Sequence, residues 1–472
     1  MIIHVVSAGE TLWQIANRYA VKINSIVRLN GLQNPNQLII GQSLVIPKSS
    51  TTTHIIKPGE TLWSIAQQYG VTIHSIIQAN NLTNPNALYP GGKLIIPPIT
   101  HVVQQGEMLW QIANRYGTTI QAIISENQIE NLNLIYAGMR LVIPRPKPTI
   151  EVNAYTYQSS EDAINSLNEV DPLLTYFSPF AYMIKEDGTL QMMNDKAMVD
   201  AAISQNIIPM MSITNFSSTK TGSNLSHVIL SSADLREKLI TNVLQVMDSK
   251  GYKVLNIDFE NVLPEDRENY NTFLQLAVDR LHPKGYLVST ALAPKTSATQ
   301  GGLLYEAHDY EAHGRIADFV VLMTYEWGYR LGPPQAISPI NQMRKVVEYA
   351  LSVMPAEKIF LGFQIYARDW LLPHVQGQEA ETFSPQEAIR RAVKYGAASI
   401  QYDTTAQSPF FRYVDEQDRR HEVWFEDARS AQAKFDMVKQ YNLRGISYWA
   451  LGYPFPQNWT LLYDNFTIKK GL

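Results

Sequence analysis

Cysteine is absent from all 472 residues. That excludes a disulfide framework, a thiolate metal site and a cysteine nucleophile. Charge is scarce: Asp, Glu, Lys and Arg make up 17% of the chain, against roughly 25% in an ordinary soluble domain. Long apolar runs are missing, and stretches such as Phe319 to Met323 fall far short of the roughly 20 residues of a membrane span. At the N-terminus Met1 leads straight into Ile2-Ile3-His4-Val5-Val6, with no basic region before a long apolar core, so no cleavable secretory signal is expected. Basic runs interleaved with aromatics are lacking, which argues against nucleic acid as a partner. No His, Asp and Glu cluster has ligand-like spacing, so neither a metal nor a cofactor is expected. What remains is a 45% hydrophobic chain with a net charge of −4, long enough for about three domains.

Self-similarity is plain in the first third. His4-Val5-Val6 recurs as His54-Ile55-Ile56 and His101-Val102-Val103, and Gly9-Glu10-Thr11-Leu12-Trp13 recurs as Gly59-Glu60-Thr61-Leu62-Trp63 and Gly106-Glu107-Met108-Leu109-Trp110. From this His to the closing Pro47, Pro97 or Pro144 the offset is 43 each time. Each unit reads strand, helix, helix, strand. In the first, Val5 and Val6 suit a strand, Gly9 a turn and Thr11 an N-cap, and Leu12, Ile15, Ala16 and Tyr19 form an i, i+3, i+4 face. A second helix is expected over Ile23 to Leu29 and a strand over Leu44 to Ile46. Trp13, Trp63 and Trp110 adjoin the apolar stripe and are expected to fill the small cores.

These repeats resemble LysM modules, with expected boundaries at 1–48, 52–98 and 99–145. The opening motif, the recurring Asn30, Asn80 and Asn127, and the Ile-Pro endings carry the likeness. The resemblance implies βααβ folds that bind N-acetylglucosamine-containing glycans between two loops. It assigns sugar contacts to Gly9, Glu10, Thr11, Leu12 and the Ile39-Ile40-Gly41 loop, to Gly59, Glu60, Thr61 and Leu62, and to Gly106, Glu107 and Leu109. Met108 departs from the threonine pattern. Lys48 to Thr53 reads as a flexible linker, and Pro144-Arg145-Pro146-Lys147-Pro148 as an extended one.

From Thr149 onward one domain of about 320 residues is expected. Apolar runs at Glu151–Tyr155, Leu174–Ser178, Ile208–Ile213, Val254–Phe259, Leu287–Leu292, Phe319–Tyr325, Ile359–Ile365 and Gly445–Trp449 alternate with helical stretches such as Ala233–Met247 and Glu268–Leu281. Eight alternations predict an α/β fold, a (β/α)8 TIM barrel over 149–472. A small α+β insertion is expected before the last strand, around Ser399 to Trp424. In the fourth strand, period two puts Asn256, Asp258 and Glu260 on one face. Paired carboxylates at a barrel mouth are costly to bury without a task, and a close pair raises one proton affinity, as a general acid near neutrality requires.

Asn256-x-Asp258-x-Glu260 resembles the DxDxE end of the glycoside hydrolase family 18 signature, with Asn in place of the first Asp. Met323-Thr324-Tyr325 is similar to that family's sixth-strand motif, Leu361-Gly362 to its seventh-strand start and Trp449 to its eighth-strand tryptophan. More closely, the chain resembles bacterial spore cortex-lytic enzymes that join LysM modules to such a barrel, through Gln401-Tyr402-Asp403, Trp424-Phe425-Glu426-Asp427-Ala428 and Gly452-Tyr453-Pro454-Phe455-Pro456-Gln457-Asn458-Trp459. The resemblance implies substrate-assisted retention. Glu260 would act as acid and then base, Asp258 would orient the substrate's 2-acetamido group, and Tyr325 would hydrogen-bond it. Trp449 would stack beneath the sugar, with Asn256, Met323, Glu326, Gln364 and Tyr366 completing the substrate site. Asn256 removes a carboxylate that would share a proton with Asp258, and Glu326 stands where Asp or Asn is usual. His282, His308 and His421 are read as structural or surface groups.

The expected activity is a peptidoglycan N-acetylglucosaminidase of the spore cortex, acting as a monomer in the spore envelope or cell wall. A LysM-anchored chitinase and a catalytically silent glycan-binding protein stand as alternatives. Residues 1–148 hold ten Lys and Arg against five Glu and no Asp, so the remainder carries −9. A mildly basic N-terminal array suits an anionic glycan surface, although salt screens much of that attraction.

Overall fold

The computed structural model describes the chain apart from residues 48–51, 83, 86, 87, 119, 128, 130–134, 145, 146, 217–221 and 472. The predicted linker positions 48–51, 145 and 146 therefore lie outside the described residues. The chain folds into two compact units. One comprises residues 1–2, 13–26 and 46–148. The other comprises residues 3–12, 27–45 and the whole stretch from Thr149 to Leu472.

All three repeats are βααβ. The first has strands Ile2–Val5 and Ser43–Ile46 around helices Leu12–Arg18 and Ile23–Asn30. The second has Thr52–Ile55, Leu62–Tyr69, Ile73–Asn80 and Lys93–Ile96, and the third Ile99–Val102, Leu109–Tyr116, Ile120–Asn127 and Arg140–Ile143. Two recurrences have structural causes. The module histidine pairs with the module glutamate, with His54 Nε2 2.7 Å from Glu60 Oε2 and His101 Nε2 2.6 Å from Glu107 Oε2. The same carboxylates accept the backbone N–H of Lys57 and Gln104, which closes the turn that Gly59 and Gly106 make at positive φ. The recurring asparagine pins the last strand: Asn80 Nδ2 donates to Ile95 O and Ile95 N to Asn80 Oδ1, both at 2.6 Å. Asn127 does the same to Val142.

The tryptophans correct the reading of the module cores. Leu62, Ile65 and Ala66 are buried, but Trp63 is 63% exposed, and Trp13 and Trp110 are 64% and 52% exposed. One step past the leucine rotates a side chain about 100° around the helix, off a stripe this narrow. Isoleucines from the second helix and last strand, such as Ile76 and Ile96, fill the core instead.

Eight parallel strands form a closed barrel. They are Thr149–Thr156, Tyr176–Pro179, Ile208–Thr214, Val254–Asp258, Leu287–Leu292, Phe319–Leu322, Ile359–Gln364 and Gly445–Trp449, each paired with the next, and the eighth returns to the first with Tyr448 opposite Ala154. The alternation predicted for the fourth strand holds. Leu255, Ile257 and Phe259 pack outward against Leu239, Val243, Phe273 and Leu274, while Val254 joins Tyr176, Met210, Phe319 and Phe360 in the lumen. Each large apolar side chain so enclosed contributes about 1.5–3 kcal/mol. Helix ends are set by side chains that accept a backbone N–H: Ser232 from Leu235 before Ala233–Lys250, and Asp427 from Ser430 before Ala428–Tyr441.

The insertion is larger than the sequence suggested. It starts directly after the seventh strand and forms a five-stranded antiparallel sheet from Ala367–Leu372, Glu381–Phe383, Gln401–Asp403, Ser408–Val414 and Arg420–Trp424, with a helix at Pro385–Lys394. The first two strands escape an apolar-run reading because they carry Arg368, Asp369 and Glu381. Two of these, Asp369 and Glu381, are spent inside the insertion on ion pairs with Arg391.

Candidate active site

Above the apolar layer of the barrel lumen a neutral polar layer precedes an acidic mouth. Asn256 is fully buried, donating to Ser212 Oγ at 3.3 Å and accepting from Ser289 Oγ at 3.0 Å. Ser212 in turn lies 2.8 Å from Ser178 Oγ. The residue that replaces a carboxylate is thus held by a chain of serines from the second, third and fifth strands.

Asp258 ends the fourth strand, is 5% exposed, and its Oδ1 makes no hydrogen bond among the described residues. Burial, reinforced by the neighbouring Glu260 charge, holds its carboxyl well above the usual range. Glu260 lies two residues further on, past the strand end. Its backbone is fixed by Asn215, whose Nδ2 donates to Glu260 O at 2.7 Å and whose Oδ1 accepts the Glu260 N–H at 2.9 Å. Burial, with the Glu326 charge added, pushes Glu260 up to about 7. Behind this pair His308 clamps the strand end, accepting the Ala293 N–H at 2.8 Å and donating from Nε2 to Phe259 O at 3.0 Å. Those two bonds fix its tautomer, and burial pulls its ring down to about 4.

Tyr325 faces the same acids, and burial followed by the Asp258 charge pushes its hydroxyl well above the ordinary value. Met323, buried, packs with Ala291, Ala293 and Tyr325. Glu326 adopts φ +70°. Arg368 Nη1 and Nη2 each lie 2.8 Å from one of its oxygens, and the Tyr366 hydroxyl donates to it as well. Trp449 closes the eighth strand, edge-on to Phe180 at 4.8 Å between centroids and flanked by Tyr155 and Tyr157. Tyr157, 52% exposed, extends this aromatic wall and hydrogen-bonds Tyr453.

Gln364 is placed differently from the rest. It is fully buried, with its amide engaged by Ser338 and by Glu426 Oε1 at 2.9 Å, and Glu426 is in turn paired with Lys434. Asn215 and Arg368 were missed by sequence reasoning because they reach the site across 45 and 42 residues, respectively. His282 pairs with Asp318 on the surface, and His421 lies between Asp369 and Asp415 in the insertion. Among the described residues no three His, Asp or Glu side chains converge as metal ligands, and no helix is long and apolar enough to cross a membrane.

In the modules, the residues assigned to sugar divide by role. Leu12, Leu62 and Leu109 are buried core. Glu10, Glu60 and Glu107 are tied to His4, His54 and His101. Thr61 caps its helix, accepting the Ser64 N–H. In the second module Glu60, Thr61, Leu62, Trp63, Ile73, Pro85 and Leu88 enclose an open groove of about 290 Å³.

Residues 147–453 match the model of the family "Glycosyl hydrolases family 18", and residues 4–47, 54–97 and 101–144 each match the LysM domain. The chain is 48% identical to the cortical fragment-lytic enzyme of Bacillus subtilis (strain 168), over 100% of its own length and 99% of that protein. It is 47% identical to the enzyme of the same name from Bacillus anthracis, over 69% and 77% of the two chains. The crystal structure of the spore cortex-lytic enzyme SleL from Bacillus megaterium QM B1551 superposes with a TM-score of 0.80 at 38% identity, covering 100% of this chain and 99% of that one.

Proposed function

Since the chain belongs to glycosyl hydrolases family 18 and carries three LysM domains ahead of its barrel, we propose that it hydrolyses the N-acetylglucosaminyl bonds of spore-cortex peptidoglycan by substrate-assisted retention. The observation that carries the chemistry is Glu260, pushed up to about 7 at the barrel mouth beside a buried Asp258. A carboxyl poised there is protonated often enough to donate and ionised often enough to take the proton back. Glu260 protonates the glycosidic oxygen while the substrate's own acetamido oxygen attacks the anomeric carbon. Asp258 faces the acetamido N–H and stabilises the cyclic cation, and the Tyr325 hydroxyl donates to the acetamido oxygen. Glu260 then takes a proton from the incoming water. Trp449 stacks beneath the sugar, with Tyr366, Met323 and Glu326 shaping the wall. No protein nucleophile is required, so only 2-acetamido sugars react.

The cortex as substrate rests on the names of the relatives above, 48% and 47% identical to this chain. On this reading the enzyme works as a monomer in the spore envelope. The test is digestion of defined cortex glycan and of chitin oligomers side by side, with mass analysis of the products. N-acetylglucosamine at the new reducing ends of cortex glycan, abolished by Glu260→Gln, is the expected result. Faster cleavage of chitin oligomers would move the substrate to chitin, and cleavage undiminished in Glu260→Gln would remove Glu260 from the mechanism.

A further inference from the structure

The three modules are near copies, yet the loop before the last strand is built differently in the first. Repeat spacing aligns Ile39-Ile40-Gly41 with Tyr89-Pro90-Gly91 and Tyr136-Ala137-Gly138. Tyr89 and Tyr136 are 74% and 67% exposed, whereas Ile39 is 9% exposed. Ile39 packs among Ala388, Ala392, Ile400, Phe411 and Phe425, all from the insertion sheet, its helix and the strand end beside them.

The backbone repeats the contrast. All three glycines take positive φ, at +83°, +84° and +89°. A Cβ on Gly91 or Gly138 would meet nothing within 4 Å, but one on Gly41 would lie 1.9 Å from Ile400 O. Glycine at 41 therefore serves a close approach of two chain segments as well as a turn. Hydrogen bonds to the loop's carbonyls complete the seam: Ile400 N donates to Ile40 O at 2.8 Å and the Arg429 side chain donates from Nη2 to Gly41 O at 3.1 Å. Ser43, aligned with the charged Lys93 and Arg140, is 2% exposed and accepts the Ala428 N–H. Gln457 donates to both Asn30 Oδ1 and Ser43 O at 2.8 Å.

We infer that the first module has given up its glycan loop to seat the catalytic domain, and that the glycan affinity of the array resides in the second and third modules, with Tyr89 and Tyr136 as the sugar-facing platforms. The inference rests on the reading of the modules as glycan binders, and it divides that role among them. A loop whose carbonyls and Ile39 side chain are spent on protein keeps only the Ile40 side chain, 45% exposed, in place of the exposed tyrosine of the other two modules. A bare tyrosine in a module that also exposes its tryptophan has a flat apolar face with a polar edge, the chemistry that suits an N-acetylated hexose.

The test uses the full chain, with sedimentation on insoluble peptidoglycan and thermal unfolding as separate readouts. Tyr89→Ala with Tyr136→Ala is expected to weaken sedimentation by about tenfold or more while the melting curve stays in place. Ile39→Ser is expected to lower the barrel transition by about 5 °C or more and to leave sedimentation as it was. Should Ile39→Ser fold poorly, Ile39→Ala asks the same question with a smaller cavity. Sedimentation lost in Ile39→Ala at an unchanged melting temperature, or retained in the double tyrosine variant, overturns the assignment. A wild-type chain that does not sediment refutes the glycan reading of the array, and the Ile39 melting shift still decides whether the loop is a seat.

Discussion

The Arg368 guanidinium grips both carboxylate oxygens of Glu326 at 2.8 Å, from a strand of the insertion into the mouth of the barrel. Glu326 is the charge that, after burial, most raises the proton affinity of Glu260. The insertion therefore tunes the acid: the more fully Arg368 neutralises Glu326, the less Glu326 lifts Glu260. Two variants separate the two charges. Glu326→Gln removes the like charge and leaves Arg368 positive, so Glu260 loses its proton at lower pH. The alkaline limb of kcat/KM is expected to move down from near 7 by about one unit. Arg368→Met bares the Glu326 charge and moves the limb up. Displacement in the same direction in both variants would mean that the limb reports general disruption rather than this pair.

Stability should carry the same signature. Glu260 binds its proton more tightly folded than unfolded, about 7 against 4.5, so its favourable contribution is present below 4.5 and is lost as pH rises through 7. At pH 8 the folded state bears an ionised, largely enclosed carboxylate. Glu260→Gln, which mimics the protonated form, is expected to be more stable than the wild type by about 2–3 kcal/mol at pH 8 and nearly equal to it at pH 4. Denaturant unfolding at the two pH values measures this. A gain that is the same at both would assign it to packing.

The eight barrel strands were legible because each is an apolar run between turn signals, and the period of two in Leu255 to Glu260 put Asp258 and Glu260 on one face, at the strand end where a barrel opens. Distance in sequence hid what surrounds them. Arg368 sits in a strand whose charges conceal it, and Asn215 lies 45 residues from the backbone it holds. In the modules the motif was visible but its division of labour was not. Glu60 and Leu62 recur because one closes a turn and the other fills a core, whereas Trp63, next to that leucine, points outward. A repeat identifies what each copy shares. The difference between Ile39 and Tyr89 becomes meaningful only when the insertion is seen covering one of them.

His308 ties the end of the fourth strand to the loop after the fifth. Its two ring nitrogens satisfy Ala293 N–H and Phe259 O, one residue before Glu260. His308→Leu leaves both backbone groups buried and unpaired and is expected to cost about 3 kcal/mol at pH 8. Because burial holds the ring at about 4 folded against 6.5 unfolded, its contribution to stability is full above 6.5 and is lost as pH falls toward 4. The gap between wild type and variant should therefore narrow over that range. A gap that is constant with pH would show that the imidazole is not held neutral.

Lys434 and Glu426 form an ion pair in which each side chain is only 1% exposed, at 2.7 Å, and Glu426 passes the connection on to Gln364 at the end of the seventh strand. Removing one partner strands a buried charge. Lys434→Met is thus expected to cost about 3–5 kcal/mol, and to loosen Gln364 and the Ser338 hydroxyl that links it to Thr324 O, next to Tyr325. Removing both charges is a different matter, since desolvating two ions offsets most of what their attraction returns. Lys434→Met with Glu426→Leu should recover most of the lost stability while Gln364 remains without its acceptor. If the pair serves only stability, activity returns with it in the double variant. If it serves to orient Gln364, the double variant is stable and still slow, and a kcat deficit at an unchanged melting temperature distinguishes the two.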